Sequence, residues 1–119
     1  MRIRLKGGVK LDGVVPEIYL AIGVWHALRF KHDCPPLTVS SANDGRHMPK
    51  SKHFSGEAVD FRIFDIPADK RRAIVAEARE ILNPLGFDVV SEETKGHGDH
   101  DHLEWDKKEG EGLFEVGVQ

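Results

Sequence analysis

Two short segments of the 119-residue chain combine histidines with acidic residues. The first segment runs from His53, in a glycine-containing loop, to Asp60, in an alternating stretch, and the second ends at His102. Two imidazoles and one carboxylate make a three-ligand zinc site that leaves the fourth position for water. Bound zinc lowers the pKa of that water toward neutrality and polarises a carbonyl group. The three residues therefore predict a catalytic metal centre.

A hydrolytic zinc site also needs a proton carrier beside the metal-bound water. Asp99 lies three residues before His102, at a predicted loop–strand junction from which its carboxylate can reach back over the metal. Asp101 alternates to the opposite strand face from His102, whereas Glu104 shares the face of His102. Asp99 is therefore the predicted catalytic base. Glu104 either supports the zinc-bound histidine or is a solvated strand residue.

Other histidines lie close to the predicted ligands. His100 shares a strand face with His102, so a register in which His100 binds the metal stays open. His47 and His97 lie in polar loops and are interpreted as flanking residues.

Two alternating stretches are predicted to carry the site as strands. Residues 58–63 place Asp60 and Arg62 on the face opposite to an apolar set, Val59, Phe61 and Ile63. Residues 100–105 place histidines and Glu104 on one face and Leu103 and Trp105 on the other. The polar faces of both strands are expected to meet at the site.

The remaining elements predict an α+β domain. Pro16 suits the first turn of a helix, and an apolar stripe follows at helical spacing: Ile18, Ile22, Trp25 and Leu28. A second helix is predicted over Ala68–Leu82, with Ile74, Ala78 and Ile81 on its buried side. Short strands are expected at 37–41 and 87–90, and a strand or arm at 3–11. Without a regular βαβ rhythm, the pattern favours one domain over residues 1–119 with a mainly antiparallel sheet, and a partly mobile tail over 106–119.

The composition of the chain argues against a nucleic-acid-binding protein, a membrane-spanning protein and a disulfide-stabilised scaffold. The formal charge of -3 and pI of about 6.1 provide no basic field for nucleic acid. The longest apolar stretch, 18–30, is too short to span a membrane, and the single Cys34 excludes an internal disulfide. No apolar run of signal-peptide length follows the basic N-terminus. We expect a monomer that is cytoplasmic as synthesised, without nucleic-acid or membrane partners.

The first segment resembles a known motif. Ser51-Lys-His53-Phe-Ser-Gly56-Glu-Ala58-Val-Asp60 matches every fixed position of the S-x-H-x-x-G-x-A-x-D motif of zinc peptidoglycan peptidases. That family includes D-alanyl-D-alanine carboxypeptidases, D-Ala-D-Ala dipeptidases and phage L-alanyl-D-glutamate endolysins, and its fold is shared with the hedgehog signalling domain. The shorter segment Asp99-His-Asp-His102-Leu-Glu104-Trp resembles the family's acid-x-x-H motif. The resemblance covers roughly the second half of the chain.

The resemblance implies a hedgehog/DD-peptidase-like fold and a peptidoglycan stem peptide as substrate. It implies zinc bound by His53, Asp60 and His102, with Asp99 as base. Family members often carry an upstream S-G-Y-R-S-like segment whose arginine helps to hold substrate. This chain has Ser40-Ser-Ala-Asn-Asp-Gly-Arg46-His-Met instead. Arg46 and Arg62 are therefore both candidates for the substrate-holding role.

The predicted function is a zinc metallopeptidase of the phage or prophage endolysin type, which degrades the cell wall after release from the cytoplasm. The bond remains open between L-Ala-D-Glu, cut by an endopeptidase, and D-Ala-D-Ala, cut by a carboxypeptidase or dipeptidase. One alternative is a zinc-stabilised binding module without catalysis, as the hedgehog relatives suggest. A second alternative, a His/Asp metal nuclease, is disfavoured by the acidic balance.

Overall fold

Two helices pack against one face of a five-stranded sheet in the part of the chain that the computed structural model describes, residues 2–43, 55–91, 100–106, 112–115 and 117–119. The helices are α1 (Pro16–Lys31) and α2 (Ala68–Leu82), and a short 3-10 helix follows at Asn83–Leu85. The strands are β1 (Arg4–Leu5), β2 (Thr38–Ser41), β3 (Ala58–Arg62), β4 (Phe87–Ser91) and β5 (His100–Trp105).

The strand order in the sheet is β1-β2-β3-β5-β4. β1 runs parallel to β2, and each of the other neighbouring pairs is antiparallel. The predicted α+β class with a mainly antiparallel sheet is confirmed. The last strand, β5, lies between β3 and β4, so it pairs directly with the strand that carries Asp60. This insertion positions the candidate site.

Helix α1 begins at Pro16, whose fixed φ suits the first helical position and whose missing N–H has no partner to lose there. The predicted stripe is confirmed, since Ile18, Ile22, Trp25 and Leu28 are all buried. The Trp25 ring lies 4.8 Å from the ring of Phe61 on β3, centroid to centroid. This aromatic contact joins the helix layer to the sheet.

Helix α2 has the predicted bounds, but its buried side differs in one residue. Ile74 and Ala78 are buried as expected, whereas Ile81 is 44% exposed. Val75 and Leu82 are buried instead. At 100° per residue they rotate the centre of the buried stripe away from Ile81, which therefore lies at its margin. The prediction for Ile81 was wrong because it did not identify which of the apolar positions mark the centre of the stripe.

Arg29, on α1, is a fully buried charge in the core layer. Its guanidinium donates to the carbonyl oxygens of Pro35 at 2.9 Å, Pro36 at 3.2 Å and Arg62 at 3.2 Å. It also forms an ion pair with Asp65 at 2.8 Å. A single side chain thus joins α1, the loop before β2 and the end of β3.

The predicted tail is bound to α1 at one described point. The backbone N–H of Leu113 donates to the Glu17 carboxylate at 3.0 Å, and Glu17 is buried. Among the described residues, none of the helices combines the length and apolar character needed to cross a bilayer.

Candidate metal site

The face of the sheet opposite to the helices carries a polar group of residues on β3 and β5. Asp60 is directly opposite His102 in the antiparallel pair, and Arg62 is opposite His100. Directly opposed residues of antiparallel strands point to the same face, with Cβ atoms about 4.5–5.5 Å apart. Glu104 lies on this face as well, two residues beyond His102. The intervening residues of both strands point into the core, as the sequence predicted.

The imidazole of His102 lies between two carboxylates. Its Nδ1 is 2.8 Å from Oδ1 of Asp60, and its Nε2 is 2.9 Å from Oε1 of Glu104. The side chains of Asp60 and His102 are 15% and 19% exposed, and that of Glu104 is 29% exposed. The group is therefore partly shielded from water, so the charges interact more strongly than they would on an open surface.

The electrostatics of this group favour a positive charge on the ring. Burial lowers the pKa of His102, but hydrogen bonds and charge interactions with Asp60 and then Glu104 outweigh it. The net effect raises the pKa above its usual value of 6.5. A neutral imidazole has one N–H, so it leaves one of its nitrogen lone pairs facing a carboxylate. A cation near the ring removes that repulsion.

The described pair fits a zinc ion in its donor chemistry. One imidazole nitrogen and one carboxylate oxygen converge, and zinc takes both types of ligand. In a tetrahedral site with bonds of about 2.0–2.1 Å, two ligand atoms lie roughly 3.3 Å apart. The 2.8 Å separation of His102 Nδ1 and Asp60 Oδ1 is a hydrogen-bond distance, so the two atoms would have to move apart slightly to share a metal ion. Within the described ranges, no group of three or more metal-binding side chains is assembled.

Several predicted site residues lie outside the described residues: His53, Asp99, Arg46, His47 and His97. The structure brings together Asp60 and His102, two of the three predicted ligands. It places His100 one row away, opposite Arg62. The geometry thus pairs His102, and not His100, with Asp60.

Gly56 and Ala58, two fixed positions of the first motif, have structural reasons to be small. Gly56 has a φ of 74°, and a Cβ built on it would collide with the carbonyl of Gly13. The carbonyl of Gly56 accepts a hydrogen bond from Val15 N–H at 3.0 Å. Ala58 is fully buried, although it lies on the polar face. The backbone just before Asp60 therefore requires a glycine at position 56 and packs around a small side chain at position 58.

Arg62 lies on the same face as Asp60, two residues further along β3. Its guanidinium carbon is 4.8 Å from the centroid of the Phe64 ring, and Phe64 is 61% exposed. Phe64 is not among the predicted site residues, although the Arg-x-aromatic spacing is present in the sequence. Arg62 with Phe64 presents a cation and an aromatic surface beside the pair formed by Asp60 and His102.

Ser41 is a second neighbour that the sequence did not reveal. A shift of register between Val39 and Ser41 places Ser41 opposite Asp60. Regular alternation would have placed Ser41 with Val39 on the core face. Such an irregularity depends on the pairing of two strands and has no signal within the segment itself.

Comparison of the chain with protein-family models, with curated proteins and with solved structures gave no match.

Proposed function

We propose that this chain is a zinc-dependent peptidase that hydrolyses peptide bonds in bacterial peptidoglycan stem peptides, with a hedgehog/DD-peptidase-like fold. The observation that carries the proposal is the contact between Asp60 Oδ1 and His102 Nδ1 at 2.8 Å. These are the residues at which two separate motifs resemble those of the zinc peptidoglycan peptidases. Asp60 and His102 are 42 positions apart in the chain, yet they are adjacent on the face of the sheet opposite to the helices.

Each residue has a separate chemical role in the proposal. Asp60 and His102 hold zinc together with His53. Zinc, when bound, supplies a Lewis acid that polarises the scissile carbonyl and acidifies a water molecule. Asp99, which directly precedes β5 in the chain, accepts a proton from the attacking water and delivers it to the leaving amine.

The substrate explains why an arginine belongs near this site. Stem peptides carry carboxylates, and a guanidinium binds a carboxylate with two parallel hydrogen bonds. Arg62 is on the site face and is partly exposed, so it is available to a peptide lying across β3 and β5. Arg46 is the second candidate for this role. An endolysin of a phage or prophage is the type of peptidase that we propose.

The proposal is tested by separating metal binding from catalysis. Wild-type protein purified without added metal should contain about one equivalent of zinc, and it should release peptide fragments from purified peptidoglycan that mass spectrometry can assign to one bond. Asp60→Ala and His102→Ala should lose zinc, whereas His100→Ala should keep most of it. Asp99→Ala should keep its zinc and fold, yet cleave about 10²- to 10⁴-fold more slowly.

Four results would contradict the proposal in whole or in part. A zinc-free sample that still cuts peptidoglycan would show that the metal is not needed. A wild type that binds zinc but releases no fragment from any peptidoglycan type would replace the enzyme with a zinc-stabilised binding module. Cleavage at the parental rate by Asp99→Ala would remove Asp99 as the base, and zinc loss only in His100→Ala would move the ligand by two residues.

A further inference from the structure

Glu104 contacts the predicted ligand His102 from the side of the ring that Asp60 does not occupy. Asp60 approaches Nδ1 from the neighbouring strand, while Glu104 approaches Nε2 from the same strand, at 2.9 Å. The two nitrogens of an imidazole point in widely different directions, so the two carboxylates have different tasks. Only a carboxylate next to the metal-binding nitrogen can share the metal with the ring.

The proposed function requires a lone pair on Nδ1, since Nδ1 faces Asp60. The proton of the neutral ring then lies on Nε2, and Glu104 is the group placed to accept it. Metal-binding histidines almost always donate their other N–H to a carboxylate, a carbonyl oxygen or water, and this bond fixes the tautomer and the ring orientation.

We propose that Glu104 is a positioning residue of the zinc site: it accepts a hydrogen bond from His102 Nε2–H and so holds the Nδ1 lone pair toward Asp60. This inference rests on the proposed function. It extends that function by assigning the metal-binding nitrogen and the residue that selects it.

The surroundings of Glu104 support this role over that of a solvated strand residue. Its side chain is 29% exposed, and the residue directly opposite on β3 is the fully buried Ala58. On its other side, the exposed Asp88 of β4 is directly opposite. The Asp88 carboxylate has no hydrogen to donate, so it does not compete with His102 for Glu104.

The same geometry argues against Glu104 as the catalytic base. Zinc held by Asp60 and His102 would acidify a water molecule beside those residues, and a base would have to reach that water. Glu104 is bonded to Nε2, at the far edge of the ring. Its effect on the chemistry therefore passes through His102.

The experiment compares zinc affinity in four chains, measured by competition with a chelator. Glu104→Ala should weaken zinc binding about 10- to 100-fold, the usual effect of removing such a partner. Glu104→Gln should rescue most of the affinity, because its amide oxygen still accepts the Nε2–H bond. Asp88→Asn is the matched control: it removes a charge directly opposite Glu104, and its affinity should stay within about threefold of wild type.

A spectroscopic measurement separates positioning from a loss of folding. In zinc-loaded wild type and Glu104→Gln, ¹⁵N NMR of His102 should show a protonated Nε2 and a metal-bound Nδ1. Melting curves of the metal-free variants report whether each one folds. Unchanged zinc affinity in Glu104→Ala, or a metal-bound Nε2 in wild type, would overturn the inference.

The outcomes also distinguish this inference from the proposed function. Complete zinc loss in Glu104→Ala with retention in Asp60→Asn would make Glu104 a ligand and overturn the positioning role. A wild type that binds no zinc overturns both. A wild type with the expected zinc and NMR behaviour but no peptidoglycan cleavage removes the peptidase and leaves the role of Glu104 in place.

Discussion

His102 is the basic side chain that lies between the two carboxylates of the site. It contacts carboxylates at both nitrogens, and these contacts raise its pKa despite the opposing effect of burial. Both contacts favour the protonated form of the ring over the neutral form. Under the proposed function, zinc would compete with protons for this ring.

The metal-free chain should be more stable at mildly acidic pH than its His102→Gln variant, and this advantage should shrink as the pH rises. A group whose pKa is raised by folding contributes its full stabilisation below the unfolded value of 6.5. The contribution is lost as the pH increases through the raised, folded value. Urea unfolding of both chains from about pH 5.5 to 9, with a chelator present, measures the difference in their free energies of unfolding. A difference that is constant or grows with pH would contradict the raised pKa.

The β3–β5 pair is the element that brings the two motifs together, and the turn before β3 sets its start. Gly56 turns the chain with a φ of 74°, and its carbonyl oxygen accepts a hydrogen bond from the N–H of Val15, the residue before α1. Only glycine adopts this conformation without a steric cost. The glycine of the motif is therefore explained by the backbone, whatever the chemistry of the site.

Two glycine-to-alanine substitutions should have opposite effects on stability. Gly56→Ala should destabilise the chain by at least about 2 kcal/mol, since it combines a left-handed residue with a collision at Gly13. Gly23→Ala should stabilise it by about 0.5–1 kcal/mol, because Gly23 lies within α1 and an added Cβ meets nothing within 4 Å. Free energies of unfolding from urea titrations measure both. Equal effects at the two positions would contradict this account.

Across the whole molecule, Arg29 connects the helix layer to β3, the strand that carries Asp60. Its buried guanidinium donates to three backbone carbonyls and to Asp65. One of these carbonyls belongs to Arg62, at the end of β3. Replacing one partner of a buried ion pair leaves the other groups without donors, which costs more than the pair itself contributes.

Arg29→Met should therefore destabilise the chain by about 3–5 kcal/mol, although methionine fills much of the volume. Lys31→Ala is the control near the same end of α1. Lys31 forms its ion pair with Glu77 on the surface, with a side chain that is 63% exposed, and its loss should cost less than about 1 kcal/mol. Chemical denaturation measures both variants. A loss below 1 kcal/mol for Arg29→Met would show that the buried contacts are dispensable.

Much of the local structure could be predicted because it depends on neighbours in the chain. Helical spacing and proline placement determined α1 and the bounds of α2, and alternation determined which residues of β3 and β5 face the core. Alternation also placed Asp60 and His102 on polar faces. Ile81 shows the limit of this reasoning, since periodicity identifies an apolar side but not the part of it that a neighbouring element covers.

The residue types of the site, the two motifs and the polar faces of their strands could be predicted from the chain alone. The folded chain was needed to show that β5 inserts between β3 and β4, that His102 rather than His100 lies opposite Asp60, and that Ser41 is opposite Asp60 on the neighbouring strand. Strand order and register come from hydrogen bonds between segments far apart in the chain, which a local pattern does not encode. The same holds for Arg29, a charged residue within the apolar stretch 18–30. Its partners 33 and 36 residues away make it a buried link between layers.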